Sequence, residues 1–288
     1  MNEGLNFKKM LKIAAQSDIP VLLTGESGSG KEVAARSLHY AGKRKNRAFV
    51  AVNCGAISPG LAESLFCGHS KGAFTGASSE QQGFVKAANG GTLFLDEVAE
   101  LSLDIQKTLL RVLQEKSVIP VGEQREIKVD FRLVCATHRD LPSLVAKGCF
   151  REDLYFRIST MPIRIPPLRE RLCDLRSIAE SIWQGSEPLS NWHLATLQKY
   201  SWPGNIRQLK NVLERYALLK NHGFELDSLI EAEFEHCRFS LRENPPKYRP
   251  SPIEINEEIQ SCNGNKSHAA KKLGISRSGL YYKMRKTP

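Results

Sequence analysis

A run of small and polar residues, Gly25-Glu26-Ser27-Gly28-Ser29-Gly30-Lys31, joins an apolar stretch to a helical pattern, and that junction constrains the fold more than any other feature. Ile19-Pro20-Val21-Leu22-Leu23-Thr24 reads as a buried strand, and Val33, Ala34, Leu38 and His39 follow with helical spacing. A strand that turns through glycines into a helix reads as a phosphate-binding loop, with a plain glycine-rich turn as the alternative. The glycines let backbone N–H groups curl round phosphate oxygens, the helix N-terminus adds its positive dipole end, and Lys31 reaches the outer phosphates. Ser27 and Ser29 keep the loop small and polar, and Glu26 and Glu32 complete the nucleotide-binding stretch. Glu32 stands where such loops usually carry a hydroxyl, so a direct Ser/Thr ligand to magnesium is missing and Asp96 carries more of the metal's water shell. The expected class is α/β with a parallel sheet.

Gly91-Thr92-Leu93-Phe94-Leu95-Asp96-Glu97 is a second apolar strand, ending in adjacent carboxylates. Asp96 is placed to organise Mg2+ and Glu97 to polarise the attacking water, with ATP as the nucleotide. A carboxylate pair after a strand also serves as a loop entry or helix cap. Phe131-Arg132-Leu133-Val134-Cys135-Ala136 is a third strand, followed by Thr137 and His138. Thr137 is the candidate sensor of the terminal phosphate, and His138 reads as a satisfied loop histidine or local cap. Arg151 and Arg157 lie six residues apart, about 120° off eclipse on an ideal helix. They pair locally with Glu152 or Asp153, or reach the nucleotide of a neighbouring subunit.

Between the two nucleotide motifs lies Gly72-Ala73-Phe74-Thr75-Gly76-Ala77, whose only sizeable side chains are one aromatic and one β-branched hydroxyl residue. Such a tip suits contact with a partner, and a glycine-rich turn has the same composition. From about Leu168 the periodicity is helical, with Ile178, Ile182, Leu194, Leu197, Leu209, Val212, Leu213 and Tyr216 on the apolar faces. Asn244 to Pro252 breaks regular structure as a linker. Lys266 to Leu273 then forms a helix, Gly274 a turn, and Ser276 caps a second helix running to Arg285.

The net charge of +10 favours a polyanionic partner, and the segment from Lys266 to Lys286 contributes seven lysines and arginines with no acidic residue. No apolar run approaches the roughly 18 residues that span a bilayer, and the first residues lack a secretory apolar core, so a cytoplasmic protein without a membrane partner is expected. The seven cysteines contain no Cys-x-x-Cys pair and are expected reduced.

Gly25 to Glu32, Gly72 to Ala77, Asp96-Glu97, Phe150 to Arg157 and Trp202 to Asn211 together resemble the bacterial enhancer-binding activators of sigma-54 RNA polymerase, which are AAA+ ATPases. The resemblance covers nearly the whole chain. It implies an AAA+ P-loop core over 1–167, an α-helical lid over 168–240, a linker over 241–252 and a Fis-type helix-turn-helix over 253–288. It assigns Gly72, Ala73, Phe74, Thr75, Gly76 and Ala77 to sigma-54 contact, Asn53 to pairing with Glu97, Arg151 and Arg157 to a neighbour's nucleotide, and Arg207 to nucleotide sensing from the lid. Arg277, Tyr281, Tyr282 and Lys283 are the implied DNA contacts. The implied partners are sigma-54 RNA polymerase, enhancer DNA and further copies of the chain, in a hexamer. The chain departs from the pattern at Glu32, at Cys67, at His138 where asparagine is frequent, and at Gly279 where a hydroxyl is frequent. Only a short segment precedes the phosphate loop, so control is expected from a separate regulatory protein, from expression, or from a lost segment.

Overall fold

The computed structural model describes residues 3–74, 76–185 and 187–243. Thr75, most of the expected linker and the helix-turn-helix with Arg277, Tyr281, Tyr282 and Lys283 lie outside the described residues. Nine strands occur among those described: β1 (Val21–Thr24), β2 (Phe49–Asn53), β3 (Gly68–His69), β4 (Gln81–Gln82), β5 (Thr92–Asp96), β6 (Ser117–Val118), β7 (Ile127–Lys128), β8 (Arg132–Thr137) and β9 (Met161–Arg164). The helices are α1 (Glu3–Ala15), α2 (Lys31–Tyr40), α3 (Ala62–Cys67), α4 (Phe84–Ala87), α5 (Leu103–Glu115), α6 (Leu141–Ala146), α7 (Glu152–Ile158), α8 (Leu175–Ile182), α9 (Asn191–Gln198), α10 (Asn205–Leu219) and α11 (Leu226–Glu243).

Five strands form an all-parallel sheet in the order β2-β5-β8-β1-β9. A sheet covered on both faces needs apolar side chains at successive positions, which explains the unbroken apolar runs. Leu22, Leu93, Leu95, Leu133 and Cys135 pack on one face against Ile105, Leu109, Val112 and Leu113 of α5 and Leu154 and Ile158 of α7. Val21, Leu23, Phe94, Val134 and Ala136 pack on the other face with Phe7, Ala14, Ala34, Ala35 and Leu38 of α1 and α2. Arg132, 2% exposed, is an exception in this apolar interior. Its guanidinium donates to the carbonyls of Ala14 (2.8 Å), Leu38 (3.1 Å) and Ala15 (3.4 Å), in the last turns of α1 and α2 where carbonyls lack full intrahelical partners.

The chain divides into two compact units, one through Gly223 and one from Phe224. The first holds the sheet, its flanking helices, and α8 to α10, whose Leu194, Leu197, Leu209, Val212, Leu213 and Tyr216 are buried as their spacing predicts, with Ile178 and Ile182 half-buried. Trp202 is fully buried before α10 and donates its indole N–H to the Leu197 carbonyl at 2.8 Å. The described part of the second unit is Phe224, Glu225 and α11. Among the described residues no helix is long and apolar enough to cross a membrane.

Candidate active site

All five parallel strands point the same way, so their C-terminal ends gather the chemistry-bearing residues along one edge. The phosphate loop leaves β1 there and enters α2 at Lys31. Gly25, Gly28 and Gly30 have φ of 156°, 74° and 95°, values that a side chain rarely tolerates. Lys31 is almost fully buried, and its ammonium donates to the loop's own Gly25 and Glu26 carbonyls at 3.0 and 3.1 Å, with Glu97 at 4.0 Å. Burial pushes the Lys31 ammonium below its ordinary value, while Glu97 and Asp96 pull it back up. Ser29 Oγ is buried with no hydrogen-bond partner among the described residues. A loop that curls round its own lysine, leaves a buried hydroxyl unanswered and opens a helix without a side-chain cap has the donors that a polyphosphate requires.

Asp96 closes β5 and accepts from the Glu97 amide at 3.1 Å. Burial, and then the adjacent Glu97, push its carboxyl above the usual carboxylate range, and Lys31 opposes them. A half-buried carboxyl in that position is suited to a cation. No group of three or more His, Cys, Asp or Glu side chains able to cage a metal occurs among the described residues, so any ion here shares its shell with phosphate and water. Glu97 adopts φ 53°, which turns it out of the strand direction. Its Oε2 accepts from His138 Nδ1 at 2.7 Å and from the His138 amide at 3.3 Å.

Several expected roles meet different partners. Asn53 lies beside Asp96 in the β2–β5 register, and its Oδ1 accepts from the Gly55 amide at 3.0 Å to close a local turn; its Nδ2 makes no hydrogen bond to Glu97 among the described residues. Glu32 pairs with Arg36 one helical turn on at 2.8 Å, on the exposed face of α2, and its side chain lies outside the phosphate cradle. Arg151 grips Asp153 at 3.0 and 2.6 Å, which raises the guanidinium and lowers the carboxyl. Arg157 donates to the Leu113 carbonyl at 3.0 Å. Within one chain, then, both arginines have local partners. Thr137 is buried at the end of β8, where its Oγ1 accepts from the Arg139 amide and its carbonyl from Gly25 N.

Arg207, on α10, does reach the loop, donating to Ser27 Oγ at 2.9 Å. It belongs to a larger clasp that sequence reasoning missed. Arg169 holds Glu26 through two bonds of 2.9 and 2.6 Å. Asn205 Nδ2 donates to Glu26 Oε2 and to the Ser27 carbonyl at 3.0 and 3.1 Å, and Arg171 donates to the Ser29 carbonyl. The Arg169 bond, and then the Asn205 bond, hold the Glu26 carboxyl down at about 2. The signals were Asn205 after Trp202-Pro203-Gly204 and the paired arginines of Leu168-Arg169-Glu170-Arg171, but neither pattern names its partner.

The hexapeptide from Gly72 to Ala77 lies in the segment between β3 and β4. Gly72 donates to the Ala77 carbonyl at 2.9 Å and Ala77 to the Phe74 carbonyl at 3.0 Å, pinning the base of the turn. Phe74 is half-exposed, with its ring centroid 4.9 Å from that of buried His69, whose Nδ1 meets Ser64 Oγ at 2.6 Å. Ser70 and the Val121 carbonyl brace the same base from the β6–β7 segment at 3.1 Å.

Residues 2–164, more than half of the chain, match the model of the sigma-54 interaction domain. The chain belongs to that family. Residues 165–238 match the AAA+ ATPase lid domain, and 254–286 match bacterial regulatory proteins of the Fis family. It is 40% identical over 290 residues to transcriptional regulatory protein GlrR of Escherichia coli (strain K12), covering 96% of this chain and 64% of that protein. It is 43% identical over 290 residues to response regulator protein PilR of Pseudomonas aeruginosa, covering 94% and 65%. The chain thus spans a little under two thirds of these curated relatives. NtrX from Brucella abortus, solved in complex with ATP, superposes with a TM-score of 0.69 at 30% identity, over 99% of this chain and 67% of that one. The fold is that of an AAA+ P-loop core with its lid.

Proposed function

We propose that this chain is an ATP-driven activator of sigma-54-dependent transcription. In this reading it binds enhancer DNA through its C-terminal residues, assembles into a ring, hydrolyses ATP, and spends that energy converting a closed sigma-54 polymerase complex into an open one. The observation that carries the reading is the convergence of Lys31, Asp96 and Glu97 on one loop, with Arg207 reaching that loop from the lid.

The loop amides and Lys31 hold and neutralise the phosphates, and Asp96 would hold Mg2+, which the acidic strand end suits. The bound ion would draw charge off the outer phosphates. Glu97 orients and deprotonates the attacking water, and burial strengthens each of these charge contacts. Arg207 and the Arg169–Glu26–Asn205 clasp tie the loop's occupancy to the lid's position. Arg151 and Arg157 exchange their local partners for a neighbour's nucleotide on assembly, and Gly72 to Ala77, Thr75 included, meet sigma-54. The match to sigma-54 interaction domains, the Fis-family match and the ATP complex of NtrX support this reading. Regulation by a separate protein remains part of the proposal.

The direct test is nucleotide binding and turnover by the full chain. Lys31→Ala is expected to lose both, and Glu97→Gln to bind ATP with turnover lowered by about 100-fold or more. Wild-type affinity in Lys31→Ala, or unchanged turnover in Glu97→Gln, would reject the site.

A further inference from the structure

Glu97 stands between two strand ends that offer it a tether: β2, which ends at Asn53 beside Asp96, and β8, which runs into His138. The first makes no hydrogen bond to Glu97 among the described residues; the Asn53 amide oxygen closes its own turn on Gly55. The second is engaged twice, by the His138 ring at 2.7 Å and by its backbone amide at 3.3 Å, both on Glu97 Oε2. An ionised carboxylate only accepts, so Nδ1 carries the proton of this bond and Nε2 is left as the other ring nitrogen. The second carboxylate oxygen, Oε1, faces Lys31 at 4.0 Å.

We infer that His138 is the positioning residue for Glu97 in this chain: it fixes one carboxylate oxygen to the end of β8 so that the other is presented toward the phosphate loop. The inference rests on the ATPase reading for its kinetic consequence but not for the contact itself. It also explains how histidine serves at this position. Imidazole Nδ1 is bonded directly to Cγ, as is the amide nitrogen of asparagine, so both place a donor at the same reach. Glutamine would carry its donor one bond further out.

Three variants of the full chain separate this role from a structural one. His138→Ala is expected to lower kcat for ATP by about 10- to 100-fold, the worth of one hydrogen bond to a charged group, while KM moves by less than about 2-fold. His138→Asn is expected to restore kcat to within about 3-fold of wild type, and His138→Gln to stay near the alanine value. Unchanged kcat in His138→Ala, or rescue by Gln and not by Asn, overturns the assignment; the latter result would put the function at Nε2.

The imidazole 15N spectrum of the nucleotide-free protein gives a readout independent of turnover. His138 is expected to show a protonated, hydrogen-bonded Nδ1 in the wild type and to lose that signature in Glu97→Ala. If the two spectra agree, the contact is refuted whatever the kinetics. If wild type fails to hydrolyse ATP while the signature is present and Glu97-dependent, the ATPase reading falls and the His138 contact stands.

Discussion

Gly28 is where the lid rests on the phosphate loop, and Gly28→Ala converts that contact into a measurable number. Gly28 has φ 74°, and a Cβ there would meet the Gly204 carbonyl oxygen at 2.5 Å and Arg207 Cβ at 3.0 Å. The left-handed backbone alone costs an L-residue roughly 1–2 kcal/mol. Forcing an extra carbon against packed backbone adds about 1–3 kcal/mol, since neither Gly204 O nor the adjoining Ile206 N–H bond to Gly28 O, at 3.0 Å, yields freely. The expected loss is therefore about 2–5 kcal/mol, concentrated in the docking of the lid. The chain's three tryptophans, Trp183, Trp192 and Trp202, all lie in the lid region, so fluorescence during urea unfolding reports that docking selectively. Gly90→Ala supplies the control: its φ is 76°, but nothing lies within 4 Å of an added Cβ, so only the backbone cost of roughly 1–2 kcal/mol remains. If the two variants lose the same stability by tryptophan fluorescence, the lid does not press on the loop as described.

Two further predictions concern pH, and one concerns DNA. Asp96 has its folded pKa raised above its ordinary 3.8, so its stabilising contribution is present below that value and is lost as pH rises through the folded pKa. Asp96→Asn is thus expected to be more stable than wild type near neutral pH, by chemical denaturation, and equal or lower stability would refute the burial argument. Glu26 is the opposite case: with its folded pKa at about 2 against an ordinary 4.5, its contribution is present above about 4.5 and fades as pH falls toward 2. Its partial exposure limits that contribution to about 1 kcal/mol or less, so Arg169→Ala should flatten the acid limb of the stability curve by no more than this in a pH series of urea melts. Arg277→Ala is expected to cost about 1–3 kcal/mol of enhancer affinity and to relax sequence preference. A uniform weakening across DNA sequences in a salt titration would make it a phosphate contact instead.

What could be read from the sequence was what local chemistry decides. Three apolar runs became adjacent strands, glycines marked the loop between β1 and α2, and Asp96-Glu97 fell at a strand end, because each signal is carried by neighbouring residues. Glu32 and Arg36 are four apart on a helix, so their pairing was available to inspection, though only the helix's rotation shows that it removes Glu32 from the cradle. Asn53 follows a strand end where a turn is common, and its Oδ1 does take the local amide of Gly55, a choice of partner that the sequence alone does not name. The Arg169–Glu26–Asn205 clasp and the His138–Glu97 bond join residues 143, 179 and 41 positions apart, so they depend on packing that no periodicity encodes. Arg132 likewise sits in an apolar strand pattern as an apparent violation until the two helix ends that it serves are in place.

The central claim, that ATP hydrolysis by this chain drives sigma-54 promoter opening, is tested most directly by one paired measurement. Wild type and Thr75→Ala would be assayed together for ATP turnover and for open-complex formation with sigma-54 RNA polymerase on an enhancer-bearing template. The account predicts turnover in both proteins and open complexes with wild type alone. Wild type that hydrolyses ATP yet never opens the promoter, or Thr75→Ala that opens it as efficiently as wild type, would contradict it.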